Sequence, residues 1–169
     1  MNTNVTANND HGSEQFKPNT TVAAIVHCNG KFLLVEEIEN GKNVYNQPAG
    51  HLEANENLIA ACKREVLEET GLNVTPEYVS GIYYFHRPEL NLYYLRFCFV
   101  VELEQYLETQ PQDDEILACH WLSFEEIIEK KEQMRSTLVI KCIEDYLKVV
   151  DQNDTSKTRI ELSALTSNL

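Results

Sequence analysis

Between residues 20 and 150 the apolar positions follow two periods. The runs Thr21-Val22-Ala23-Ala24-Ile25-Val26-His27-Cys28 and Lys31-Phe32-Leu33-Leu34-Val35-Glu36-Glu37 flank Asn29-Gly30, a pair that favours a tight turn, so they predict a β-hairpin. After Asn40-Gly41-Lys42, a short strand through Val44 and Tyr45 is ended by Pro48 and Gly50, which lead into a loop. From Leu58 to Thr70 there is no Gly or Pro and the text is rich in Ala, Leu, Glu, Lys and Arg. That predicts a helix, with Gly71 where a left-handed cap belongs. Residues 73–79 predict the start of another strand. Residues 81–86 and 93–101 then form a longer, aromatic-rich hairpin around 87–91. An acidic loop at 110–115 precedes a strand around 118–122. Ser123, with Glu126 three residues on, forms a capping box that opens a helix. Apolar residues at 139, 143, 146 and 147 mark a terminal amphipathic helix. Three helices around a mixed, mostly antiparallel sheet predict an α/β (α+β) chain folded as an α/β/α sandwich.

The ends read differently. Residues 1–15 are Asn/Thr-rich with little to bury and are expected to be a loose tail, in which His11 is a solvated side chain. Residues 151–169 turn polar again and are expected to be a second loose tail, which leaves 16–150 as one domain. At 169 residues the chain suits a single core. Its formal charge of −13 argues against nucleic acid or an anionic membrane as partner, since both select basic surfaces. A small polyphosphate escorted by Mg²⁺ stays compatible with that charge. The five cysteines form no Cys-x-x-Cys pair and lie in strand-like or helical text, as buried thiols of a cytoplasmic protein would. No apolar run reaches the length of a membrane span.

The 58–70 helix carries the candidate chemistry. At 100° per residue Glu65, Glu68 and Glu69 share one face, while Ile59, Cys62 and Val66 occupy the adjacent arc that faces a core. Like charges three and four apart repel, and only Arg64 offers local relief, so a cation is missing. Carboxylates on a rigid element suit Mg²⁺. The backbone carbonyl near Gly50 is a further candidate oxygen, because glycine lets the chain approach a ligand closely. His51 reads as a loop histidine. Arg96 is a cation inside an apolar strand, with Tyr94 and Cys98 on its own face. It pairs with one of the helix glutamates or it reaches into the cleft toward phosphate.

The spacing Gly-x5-Glu-x7-Arg-Glu-apolar-x-Glu-Glu-x-Gly-apolar, filled at every position from Gly50 to Leu72, resembles the signature of the Nudix hydrolases. Phe16-Lys17-Pro18, the 46–54 segment, Leu95-Arg96-Phe97 and Met134-Arg135-Ser136 are similar to the NudJ-type branch of that family, over roughly residues 16–147. The resemblance implies Mg²⁺, or Mn²⁺, held by Glu65, Glu68 and Glu69 with Glu56 and the Gly50 carbonyl as further ligands, and Arg64 orienting the carboxylates. It implies a water-activating or metal-completing carboxylate at Glu115 or Asp114, where a solvated turn is the other reading. Substrate contacts are implied at Arg96, Gln47 and Tyr45, the last where that branch usually carries Trp. The implied activity is release of phosphate from nucleoside di- and triphosphates and from the diphosphates of thiamine and hydroxymethylpyrimidine, by a monomer or weak homodimer. A pyrophosphatase with the same signature, or a catalytically silent binding module on the same scaffold, are the alternatives.

Overall fold

The computed structural model describes residues 16–151 and 159–168, so the expectation of a loose tail over residues 1–15 lies outside the described residues. The strands are β1 (Asn19–Cys28), β2 (Lys31–Glu39), β3 (Lys42–Asn46), β4 (Ala49–His51), β5 (Tyr78–Arg87), β6 (Leu92–Leu103), β7 (Ile116–Ser123) and β8 (Ile160–Glu161); the helices are α1 (Leu58–Thr70), α2 (Phe124–Glu129) and α3 (Thr137–Val150). They build a mixed sheet ordered β3-β2-β1-β6-β5-β8, in which β4 also pairs with β1 and β7 with β2. Among the strands of the described residues only β1 and β6 run parallel, in unbroken register from Asn19 opposite Tyr94 to Cys28 opposite Leu103. The turns behave as their residues dictate: Asn29 and Gly30 both take positive φ, at 47° and 79°, and so do Asn40 and Gly41.

Strand β1 is apolar from Val22 to Val26, where both its faces are covered. Ala23 and Ile25 join Leu34, Val100, Ile127, Val139 and Ile143 under α2 and α3. Val22, Ala24 and Val26 join Leu33, Cys62, Val66, Phe99 and Val101 under α1. This is the expected sandwich, α1 on one side and α2 with α3 on the other. The Ser123 capping box is present in both directions. Four of the cysteines are buried and all five are free thiols. No helix among the described residues is long and apolar enough to cross a membrane.

Two expectations are corrected. Residues 73–77 are not strand; β5 starts at Tyr78, two positions past Pro76, which has no N–H to give a ladder. The expected C-terminal tail is not loose at 159–168. Ile160 and Glu161 pair with Val79 and Tyr78, Arg159 lies 4.4 Å over the Tyr78 ring, and Leu162 and Leu165 pack on the α1-side core. Three apolar residues spread through a polar segment suffice to dock it.

Candidate active site

Helix α1 is fixed at both ends before any chemistry is considered. Asn57 caps it by accepting the Ala60 N–H at 2.9 Å, and Gly71 closes it at φ 76° with its N–H on the Leu67 carbonyl. Ala61, Cys62 and Val66 seat the helix on the sheet, and that seating sinks the next arc, Glu65 and Glu69, to 9% and 8% exposure. Glu69 accepts the Ala49 N–H at 2.8 Å. Glu65 lies against β4 so closely that a Cβ on Gly50 would come within 2.2 Å of its carboxyl group. A side chain at 50 would therefore push the Glu65 carboxyl out of this place.

Arg64 organises the acids. Its Nη1 donates to Glu65 at 2.6 Å and to Glu68 at 3.2 Å, its Nε and Nη2 donate to Glu56 at 3.0 and 2.7 Å, and Nη2 also reaches the His51 carbonyl at 3.0 Å. The hydrogen bonds to Arg64 hold the Glu56 carboxyl below the usual carboxylate range. Burial acts the other way on the sunken pair. It raises the Glu65 carboxyl, and it pushes Glu69 up to about 9, helped by the nearby charges of Glu65, Glu37 and Asp113.

A recess of about 380 Å³ brings together Glu65, Glu68 and Glu69 of α1, Glu53, Gly50 and His51 of the loop side, Asp113 and Glu115 from the loop hydrogen-bonded to the end of α1, and Glu37 with Arg135. Among the described residues no three His, Cys, Asp or Glu side chains converge as a finished metal centre. The acids line an open basin, spread by mutual repulsion and held by Arg64. The donors are all hard oxygens, and the open basin leaves room for water and a phosphate oxygen. That fits Mg²⁺ or Mn²⁺, with Glu65, Glu68, Glu69 and the Gly50 carbonyl as the residues that could hold it.

Next to the recess is a small cavity of about 100 Å³, sharing Ala49, Gly50, His51 and Arg135 with it and lined also by Arg87 and Arg96. Arg96 forms no ion pair with a helix glutamate. Its Nε donates to Thr21 at a long 3.4 Å, its plane sits 5.7 Å over the Phe85 ring, and its Nη1 is buried with no hydrogen-bond partner. Of the two readings of this residue, the ion pair with a helix glutamate is not formed, and Arg96 lines the small cavity.

Other expected residues lie elsewhere. Both Glu56 oxygens are taken by Arg64, and Glu56 does not line the recess, so its carboxylate anchors the arginine instead of facing the basin. Gln47 is 1% exposed and donates to the Cys98 sulfur at 3.7 Å, too deep for substrate contact. Tyr45 packs against His120 and under Lys130, and its carbonyl accepts the Arg135 N–H at 2.8 Å, so it acts on the site through the backbone. Asp114 faces a neighbouring hollow, while Asp113 takes the position in the recess. Sequence reasoning missed Glu37 and the arginines that Glu37 and Glu39 hold. Arg135 donates to both Glu37 oxygens at 2.9 Å, and Arg87 to Glu39 at 3.1 Å. The register shift opposite Glu36 and Glu37 skips Leu117 of β7 and leaves β2 in step, so alternation puts Glu37 on the face of Leu33, under α1; its meeting with Arg135 is what no local signal marks.

The NUDIX domain family matches residues 17–141, three quarters of the chain. The chain belongs to the Nudix family. It is a hydrolase of the NudJ type, acting on phosphoanhydride bonds. It is 49% identical over 131 residues to the protein named Phosphatase NudJ of Shigella boydii, covering 78% of this chain and 84% of that one, and 48% identical over the same length to Phosphatase NudJ of Escherichia coli K12. Among solved structures, a NUDIX hydrolase from Nitrosomonas europaea is 41% identical with a TM-score of 0.79, covering 89% of this chain and 97% of that one. The Nudix signature from Gly50 to Leu72 is thus β4, its loop and α1, the part of the fold that carries the basin.

Proposed function

We propose that this Nudix hydrolase is a Mg²⁺-dependent phosphatase that releases inorganic phosphate from nucleoside di- and triphosphates and from the diphosphates of thiamine and its hydroxymethylpyrimidine precursor. The observation that carries the reading is the acidic basin opening, through Gly50 and Arg135, onto a cavity whose buried Arg96 Nη1 has no partner. An acid basin alone repels phosphate; with a cation cavity beside it, a phosphate chain can lie across both. The name of the similar phosphatases supports the same reading.

In this mechanism Glu65, Glu68 and Glu69, with the Gly50 carbonyl, would hold one or more Mg²⁺ ions. The bound ion supplies neutralisation of phosphoryl oxygens and a water of lowered pKa. Arg64, braced by Glu56, keeps Glu65 and Glu68 from drifting apart. Glu115, on the recess lining just past the loop that is bonded to the end of α1, is assigned the proton of the attacking water. Water oxygen bonds to the terminal phosphorus while the bridging P–O bond breaks. The shortened phosphate keeps the bridging oxygen, and the products are inorganic phosphate, the shortened nucleotide and one proton. Positioning and charge neutralisation account for most of the rate in such a transfer.

Chromatography of products without added pyrophosphatase tests the reading. Phosphate and a monophosphate are expected from a nucleoside diphosphate, and phosphate with a diphosphate as first products from a triphosphate. Pyrophosphate and a monophosphate as first products from the triphosphate would overturn it in favour of a pyrophosphatase. No Mg²⁺-dependent release from any of these substrates would favour a silent binding module.

A further inference from the structure

The three hollows on this side of the protein are joined end to end. The basin shares Ala49, Gly50, His51 and Arg135 with the Arg96 cavity. That cavity in turn shares Phe85, Arg87, Arg135 and Ser136 with a groove of about 700 Å³ between the β5–β6 tip and the start of α3. Their sizes differ in a way that sorts a substrate. At about 100 Å³ the middle cavity has the room of roughly three or four water molecules, enough for one phosphoryl group and too little for a nucleoside. The groove has the volume of an ordinary small-molecule site, with Phe85, Met134 and Leu138 as its apolar floor and Lys131, Glu132 and Lys141 on its lining.

Charge sorts the same way. The basin is acidic, so only a phosphate that arrives with metal can lie there. In the middle cavity Arg135 is held by Glu37 at 2.9 Å and Arg87 by Glu39 at 3.1 Å, both ion pairs formed within the protein. Arg96 has no such carboxylate. It is 8% exposed, desolvation pulls its guanidinium below the usual range, and its Nη1 has no acceptor among the described residues. A buried guanidinium donor without an acceptor is costly, and such a cost is retained where a ligand supplies the missing oxygen.

We propose that the Arg96 cavity binds the penultimate phosphate of the substrate, the one that is not transferred to water, and that the Phe85–Met134–Leu138 groove binds the organic group. The cavity then acts as a ruler. Seating the penultimate phosphate on Arg96 leaves the terminal phosphate over the basin whatever the chain length, and the wide groove absorbs the displacement of the organic end. This rests on the phosphatase reading, and it adds which phosphate is gripped and by what. After reaction the shortened nucleotide stays on Arg96 and inorganic phosphate stays in the basin, so the two products report on different subsites.

Equilibrium binding to the full chain separates them. Adenosine, guanosine, cytidine and uridine monophosphates and the four parent nucleosides, each with Mg²⁺, are titrated into the wild type, Arg96→Gln and Arg96→Lys, with melting curves taken alongside. At least one monophosphate is expected to bind the wild type more tightly than its nucleoside, and Arg96→Gln to weaken that monophosphate by roughly tenfold to hundredfold, the loss of one charged hydrogen-bonding group. The nucleoside, which has no phosphate to place on Arg96, should keep its affinity within about twofold. Arg96→Lys, which keeps the charge but not the fork, should fall between, and it decides the matter alone if the glutamine variant does not fold. The proposal is overturned if no monophosphate binds, if the nucleoside is weakened as much as the monophosphate, or if the monophosphate is unchanged. Binding is read without turnover, so a failed phosphatase reading shows in the product analysis and a failed ruler shows here.

Discussion

Replacing Glu69 by glutamine separates the two roles of that side chain. Glu69 is 8% exposed, accepts the Ala49 N–H at 2.8 Å, and is pushed up to about 9 by burial. At pH 7 the metal-free protein therefore carries it protonated, and ionising it there costs about 3 kcal/mol, two pH units at ~1.36 kcal/mol each. Glutamine is close in shape to that neutral acid and keeps the oxygen that Ala49 needs. The metal-free variant should thus match wild type within about 1 kcal/mol below pH ~4.3 and be the more stable of the two by about 2–4 kcal/mol at pH 7, where only the unfolded wild type gains by ionising. The sign with pH follows from linkage. A carboxyl whose folded pKa exceeds its unfolded value, about 4.3, adds stability that is complete below pH ~4.3 and lost as pH rises through about 9. Wild type has this loss and Glu69→Gln does not, so in chelator the variant's melting temperature should gain on wild type between pH 6 and 9. Phosphate release at saturating Mg²⁺ should nonetheless fall by on the order of 10²-fold or more, because a charged oxygen ligand is gone. Thermal melts across that pH range with chelator, together with steady-state phosphate release, make the assay. A variant with near-wild-type rate, or one destabilised by more than about 2 kcal/mol at pH 7, would refute the reasoning.

Gly50→Ala puts a methyl group 2.2 Å from the Glu65 carboxyl, the far end of a flexible side chain that has to swing aside, so a stability change under about 1 kcal/mol with at least a roughly tenfold loss of turnover is expected from melts and kinetics. Truncation after Asp151 removes Ile160, Leu162 and Leu165 from the sheet edge and the α1-side core, and should lower stability by on the order of 2 kcal/mol, a fall in Tm of about 4–8 °C. Deletion of residues 2–15, a segment with little apolar surface to bury, should leave both Tm and turnover unchanged.

Local features of the site were legible in the sequence. Helix α1 runs between the residues where its composition and Gly71 end it, and the 100° period puts Glu65 and Glu69 beside the buried arc. Arg64 was readable as the partner of Glu68, yet not as the residue that claims both oxygens of Glu56, because spacing along a chain does not say which way a guanidinium fork turns. Distance in sequence hid the rest. Arg135 meets Glu37 across 98 residues, and although alternation along β2 puts Glu37 on the face of Leu33, it does not say that α1 and its acids cover that face. Gln47 sits three residues before Gly50 in a segment with no period, so nothing local tells that its side chain turns inward to Cys98. The docked C-terminal segment was invisible for a compositional reason: Ile160, Leu162 and Leu165 are diluted by polar neighbours, and their partners Val79 and Tyr78 are far off in the chain.

The central claim is that water attacks the terminal phosphorus, and isotopically labelled water reads that directly. A nucleoside diphosphate is hydrolysed with Mg²⁺ in water enriched in heavy oxygen, and both products are weighed by mass spectrometry. One heavy oxygen in inorganic phosphate and none in the nucleoside monophosphate is the predicted result. Heavy oxygen in the monophosphate would place the attack on the inner phosphorus and contradict both the phosphatase mechanism and the seating of that phosphate on Arg96.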